Sequence, residues 1–222
     1  MRHSLYRYFS DRRWADECLD GKIRFRSLAY FRDYENESED EKVRKDDKEG
    51  NLVFGPPEGL LINNQTQGTS RIHSGFRMES RTKQAEIFVL CASTCLSEEL
   101  RSRFGAVVCV EILKIAAFCR RIQQALPQNA AFFAGKVIYY DPGQGPEERW
   151  ALPDLIARSK FKGYGWQYEY RFLFSLTDAL AFENATYQLV RGNLREAPKP
   201  EERLVFPVQT KDLRDICRIR EF

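Results

Sequence analysis

Lys160-Phe161-Lys162-Gly163-Tyr164-Gly165-Trp166-Gln167-Tyr168-Glu169-Tyr170-Arg171 is a glycine-punctuated aromatic loop that runs into an apolar strand, predicted over Tyr168–Ser175. A second apolar run, Glu86–Thr94, reads as a buried strand, followed by a helix over Ser97–Phe104 and another buried strand over Ala106–Ile112. Ser97 is a suitable N-cap, with Glu98 and Glu99 in the first helical turn. Near the start, Leu5–Phe9 reads as a strand, Asp11–Leu19 as a helix stopped by Gly21, and Lys22–Phe31 as a second strand with Arg24 and Arg26 alternating against apolar neighbours. Lys114–Ala125 and Trp150–Lys160 are predicted helices. Lys136–Tyr140, Tyr187–Arg191 and Leu204–Val208 are predicted strands, and Lys211–Ile216 a short helix or turn. Strands joined by short helices, without an internal repeat or linker, predict one α+β domain over 1–222 with a mostly antiparallel, split sheet and flanking helices.

The pattern breaks over about 32–84, where Leu52–Phe54 and Leu60–Ile62 suggest strands and Asn63–Gly75 is a polar tract. Loops of that length usually cover a site or stay mobile, so the stretch reads as a lid, a partner surface or a flexible insert, with a passive surface loop as the alternative. Within it, Arg32–Gly50 holds nine acids against five bases; this net −4 leaves +7 on the rest of a chain whose total is +3. That remainder permits nucleic-acid binding without implying it. With 43% hydrophobic and 13% aromatic residues among 222, the chain can fill a core, which excludes disorder as its dominant state. Six cysteines without a CxxC pair, and only His3 and His73 beside them, read as reduced thiols in the core rather than a zinc site. No apolar run approaches the roughly 20 residues of a membrane span, so a cytoplasmic protein is expected.

Three stretches carry candidate chemistry. Glu169 stands beside aromatic faces, where partial desolvation makes a strong acceptor or base; the alternative is a salt bridge to a neighbouring arginine within an ordinary core. Ser93 and Thr94 end the strand Phe88–Thr94, where hydroxyls either serve a site or cap the turn. Arg7, between Tyr6 and Tyr8, can clamp a phosphate or carboxylate bidentately, or stand as an edge charge.

In order along the chain, Leu5-Tyr6-Arg7-Tyr8, Phe25-Arg26-Ser27, Cys91-Ala92-Ser93 with Gly105-Ala106-Val107-Val108-Cys109, and Trp166-Gln167-Tyr168-Glu169-Tyr170-Arg171 resemble the bacterial family catalogued as domain of unknown function 2971. The family's Asn-Asp-Pro after the second strand is absent from Tyr30-Phe31-Arg32-Asp33, and its earlier acid is Gln167 here. Arg7, Ser93-Thr94 and Gln167-Tyr168-Glu169 are also similar to the Arg–Ser–Glu layout of mono-ADP-ribosyltransferases, with Cys95 where that layout has a third hydroxyl. The resemblance implies an ADP-ribosyltransferase-like fold and NAD as co-substrate. It implies catalytic roles for Glu169, Gln167, Arg7 and Ser93, and NAD contacts from Tyr6, Arg7, Arg26, Tyr30, Phe31, Ser93 and Thr94. It places Gln167, Tyr164 and Trp166 against the acceptor.

Breaking the bond from nicotinamide to ribose passes through an oxocarbenium-like state, so such a site needs an anion at the ribose, a grip on the pyrophosphate and an aromatic wall. Glu169 supplies the anion, Arg7 the grip, and Tyr6, Tyr30, Phe31 or Trp166 the wall; Ser93 is expected to orient Glu169, and Thr94 to support the turn. At Gln167 the resemblance implies an asparagine, cysteine or guanine-type acceptor, and an amide pairs with an amide or a base edge. Nucleic acid, single-stranded and RNA before DNA, is the expected acceptor, with protein the alternative. An enzyme of this kind is expected to act as a toxin or phage-defence effector held by a neutralising protein. The competing classes are a non-catalytic nucleic-acid or partner-binding module and a metal-independent nuclease, which would cleave strands without NAD.

Overall fold

The computed structural model describes residues 4–32, 48–64, 66, 68–71, 75–145, 147–191 and 204–222. The chain opens with β1 (Leu5–Phe9), α1 (Arg12–Leu19) and β2 (Lys22–Ser27). Asp11 caps α1 by accepting from the Arg13 backbone N–H, and Gly21 beyond its end sits at φ +83, where a Cβ would meet the Thr210 carbonyl oxygen at 2.5 Å. The strand expected to continue to Phe31 stops at Ser27, because the Ser27 hydroxyl accepts from the Tyr30 N–H and starts α2 (Leu28–Arg32).

After 32 the chain is described again from Lys48, and the described part of the insert carries more strands than its composition predicts. It carries β3 (Asn51–Phe54), β4 (Leu61–Asn64), β5 (Gly68–Arg71) and β6 (Phe76–Arg81). Then come β7 (Phe88–Ser93), α3 (Glu98–Arg103), β8 (Val108–Ile112), α4 (Ile115–Ala125), β9 (Ala131–Lys136) and β10 (Ile138–Tyr140). The predicted helix over Trp150–Lys160 is a 3-10 turn at Glu148–Ala151, α5 (Pro153–Ala157) and then β11 (Ser159–Phe161), so Lys160 lies on a strand. Pro153 starts α5 and the Ser159 hydroxyl donates to the Leu155 carbonyl at its end. A 3-10 turn, Lys162–Gln167, leads to β12 (Glu169–Ser175), and β13 (Thr186–Arg191), β14 (Val205–Gln209) and β15 (Cys217–Glu221) follow. The strands β5, β6, β9 and β15 have no counterpart among the sequence-based expectations.

The architecture is α+β with mostly antiparallel sheets; β10 and β11 form a parallel pair. β7 is the axis of the largest sheet. Along one edge it pairs with β12 from Ser93 opposite Glu169 to Phe88 opposite Phe174, with β9 outside β12. Along the other edge two strands compete. β2 pairs at Phe88 and Val89, β1 pairs at Ser93, and both run antiparallel to β7. Both cannot hold the same intervening edge at Leu90–Ala92, so the sheet parts there: β2 leaves with β14, and β1 with β8 and β15. Alternation along β7 sends Phe88, Leu90 and Ala92 into the main core, which Ala15, Cys18 and Leu19 of α1 and Phe118 and Ile122 of α4 help to fill. Val89 joins a second cluster with Leu28, Ala157 and Leu173 on the other face. β3, β6 and β13 form a separate three-stranded sheet, whose Leu52 packs with Tyr140, Trp150 and Ile156.

Cys18, Cys109 and Cys217 are buried thiols, while Cys91, Cys95 and Cys119 are half-buried; all six are reduced. His3, His73 and positions 33–47, which hold most of the acidic run, lie outside the described residues. Among the described residues no helix is long and apolar enough to cross a membrane.

Candidate active site

The parting of β1 and β2 opens a cavity of about 230 Å³. Tyr6 and Arg7 of β1, Arg26 of β2, Phe31, Ser93 of β7, Gln167 and Glu169 all line it, so the structure gathers seven of the eleven sequence-predicted site residues in one place. Thr94, Tyr30, Tyr164 and Trp166 do not line it. Tyr30 lies under the Arg26 guanidinium at 4.5 Å, Tyr164 lies under the Lys160 ammonium at 4.8 Å, and Trp166 packs against Phe104 and lies under the guanidinium of Arg103 at 4.5 Å.

The floor of the cavity is a buried alternation of charges. Glu169 Oε1 accepts from Arg171 Nε at 2.7 Å and Oε2 from Lys160 Nζ at 3.2 Å. Arg171 turns its other two nitrogens to both oxygens of Glu49, one of them at 3.0 Å, and also donates to the Ala157 carbonyl at 2.6 Å. Lys160 Nζ stands 3.9 Å from Glu49 and donates to Gln167 Oε1 at 2.9 Å. Two carboxylates and two cations therefore balance, which is the condition for burying charge. Burial works to raise the Glu169 carboxyl, but Arg171 and Lys160 outweigh it and hold the group well below the ordinary carboxylate value. The balance of charges favours the ionised form of Glu169 at neutral pH. Burial, together with Glu169 next to it, pushes the Cys91 thiol well up, so it stays protonated.

The salt bridge from Glu169 to a neighbouring arginine, which the sequence left open, is present. Ser93 does not hold the Glu169 carboxylate: its hydroxyl donates to the Gln167 carbonyl at 2.9 Å and accepts from the Cys95 N–H. Thr94 supports the turn as expected, donating to the Tyr168 carbonyl from its backbone N–H at 2.8 Å and from its hydroxyl at 3.2 Å. Those bonds fix Tyr168 in the left-handed region at φ 48, the one non-glycine residue with positive φ among the described residues. Gln167 and Glu169 consequently do not share a strand face, as an i, i+2 pair on one strand would. Gln167 ends the 3-10 turn, and the bend at Tyr168 brings both side chains to Lys160.

Arg7 and Arg26 are the cleft cations that have no carboxylate partner among the described residues. Arg7 lies 5.0 Å over the Phe9 ring and donates weakly to the Cys18 sulfur at 3.8 Å, and Arg26 covers Tyr30. The residues that sequence reasoning missed are Lys160, Arg171, Glu49, Trp14, Glu17 and Arg24. Arg171 was detectable, since it stands two positions after Glu169 on one strand face. Glu49 carries no local signal within a run of acids. No family model, no curated protein and no solved structure matches this chain.

Proposed function

We propose that the cleft binds NAD and that the protein is a mono-ADP-ribosyltransferase, with single-stranded nucleic acid, RNA before DNA, as the acceptor. The observation that supports this reading is the convergence, at the parting of one sheet, of an ionised carboxylate (Glu169), an amide (Gln167), two guanidinium groups (Arg7, Arg26) and aromatic walls. NAD supplies an ADP-ribosyl group on a cationic leaving ring. Glu169 offers charge to the positive centre that develops at the ribose, and beyond the bonds from Arg171, Lys160 and the Cys91 thiol its carboxylate keeps acceptor capacity for one ribose hydroxyl. Arg7 and Arg26 hold phosphate. The cavity is below the about 300–1,000 Å³ of small-molecule sites, so it encloses one end of a dinucleotide and leaves the rest along the mouth.

A second reading, a nucleotide-binding module without chemistry, draws support from the ion pairing of Glu169 on both oxygens. Turnover of NAD by purified protein with RNA, DNA or protein separates the two. Glu169→Gln is expected to lower transfer by about 10²–10³-fold, the range for removing one electrostatic stabiliser. Arg7→Gln, which leaves the buried charges intact, is expected to weaken NAD binding in a folded protein. Transfer at the wild-type rate by folded Glu169→Gln would refute the assignment. The same reading makes the protein a toxin or defence effector held by a neutralising protein; unimpaired growth of bacteria that express it in soluble, active form would dismiss that role.

A further inference from the structure

α1 carries the chain from β1 to β2 and turns Ala15, Cys18 and Leu19 into the core. Trp14 and Glu17, three residues apart and so neighbours on the helix surface, line the cleft instead. Trp14 is 44% exposed. A large indole left open at the edge of a cavity is a stacking surface, and among the described residues no ring lies on it. Beside it the Glu17 carboxylate accepts from Arg24 at 3.3 Å and keeps acceptor capacity for a second donor. This wall lies on the β1 and β2 side of β7, whereas Glu169 enters from β12 on the other side.

We infer that Trp14 and Glu17 form a base-recognition subsite for an adenine nucleotide, the indole stacking on the ring and the carboxylate accepting from the exocyclic amino group. Arg26 takes the phosphate. The inference rests on the NAD reading of the cleft, because the adenylate half of the dinucleotide is the part that this wall seats. It also goes beyond that reading, since it names the feature of the base that is read. A carboxylate accepts from an amino group and repels a carbonyl, so the subsite selects adenine over hypoxanthine, which has oxygen in place of the amino group.

The test is tryptophan fluorescence of the full chain titrated with adenosine monophosphate, inosine monophosphate, nicotinamide mononucleotide and inorganic phosphate. Trp150 and Trp166 emit as well, so the difference between the full chain and Trp14→Phe reads the contribution of Trp14. Adenosine monophosphate is expected to quench saturably, with inosine monophosphate and nicotinamide mononucleotide about 10- to 100-fold weaker. Trp14→Phe is expected to remove most of the quench while the circular dichroism spectrum is retained. Glu17→Gln is expected to bring adenosine monophosphate to the level of its inosine counterpart. A quench that persists in Trp14→Phe, or equal affinity for the two purine nucleotides, overturns the subsite. Quenching through Trp14 without NAD turnover keeps the subsite and refutes transfer. Turnover with an unchanged KM for NAD in both Trp14→Ala and Glu17→Gln refutes the subsite and keeps transfer.

Discussion

Arg171→Met tests whether the buried charges hold the cleft floor together. Arg171 is 1% exposed and bonds Glu169, both oxygens of Glu49 and the Ala157 carbonyl. Each charge-assisted bond is worth about 1.5–3 kcal/mol net, so four summed naively approach the about 5–15 kcal/mol that holds a whole domain. Desolvation removes most of that gain, and loss of one partner of a buried pair costs about 3–5 kcal/mol because the other charge is stranded. Methionine restores volume but leaves two carboxylates with Lys160 alone between them, 3.2 and 3.9 Å away. Urea unfolding at neutral pH is expected to show a loss of about 3–5 kcal/mol without a change in slope. The loss also has a sign in pH. The depressed Glu169 carboxyl contributes stability that is fully present above the ordinary carboxylate value and fades as pH falls through the folded one. Without Arg171 the buried Glu169 carboxyl loses the largest influence that lowers it and protonates more readily, so the gap between wild type and variant is expected to narrow towards pH 4. A loss under about 1 kcal/mol, or a gap that widens in acid, would refute the account.

Glu111 is held by Arg218 and Arg220 of β15 at 2.7 Å each, and despite the upward pull of burial its carboxyl is depressed to about 2. Glu111→Gln is expected to lower the thermal midpoint at neutral pH, with the difference from wild type disappearing between the ordinary carboxylate value and about 2; a pH series of melts checks it. Gln167→Glu would set a third carboxylate on Lys160, drawing it from Glu169. It is expected to cut transfer to nucleic acid about 10- to 100-fold and to destabilise the fold at neutral pH, with recovery in acid as the new carboxyl protonates, read by parallel transfer assays and melts.

The sequence announced the strands that bury both faces or sit between clear stops, such as Phe88–Ser93 and Leu5–Phe9, because hydrophobic runs and capping chemistry are local. β5 and β6 were illegible for the opposite reason. Gly-Thr-Ser-Arg and Phe-Arg-Met-Glu-Ser-Arg have little apolar alternation; β6 instead centres on Glu79, which is buried between Arg77 and Arg81 and stays ionised because they outweigh its desolvation. The same limit applies at the site. Glu169 and Arg7 were recoverable as unusual residues on predicted strands, and Gln167 from the aromatic loop before one, whereas Glu49 and Trp14 reach the cleft through tertiary packing that no spacing encodes.

Glu49 and Arg171 stand 122 positions apart, and this separation has a consequence in time. At about 5–20 residues per second, synthesis supplies Arg171 roughly 6–24 s after Glu49. For nearly all of that interval the acid has neither Lys160, made eleven positions before Arg171, nor Arg171 itself to face. Glu169 arrives together with Arg171, two positions earlier in the same strand. The floor of the cleft therefore cannot be complete before β12 is made, and a growing chain holds no assembled site until Arg171 has been added.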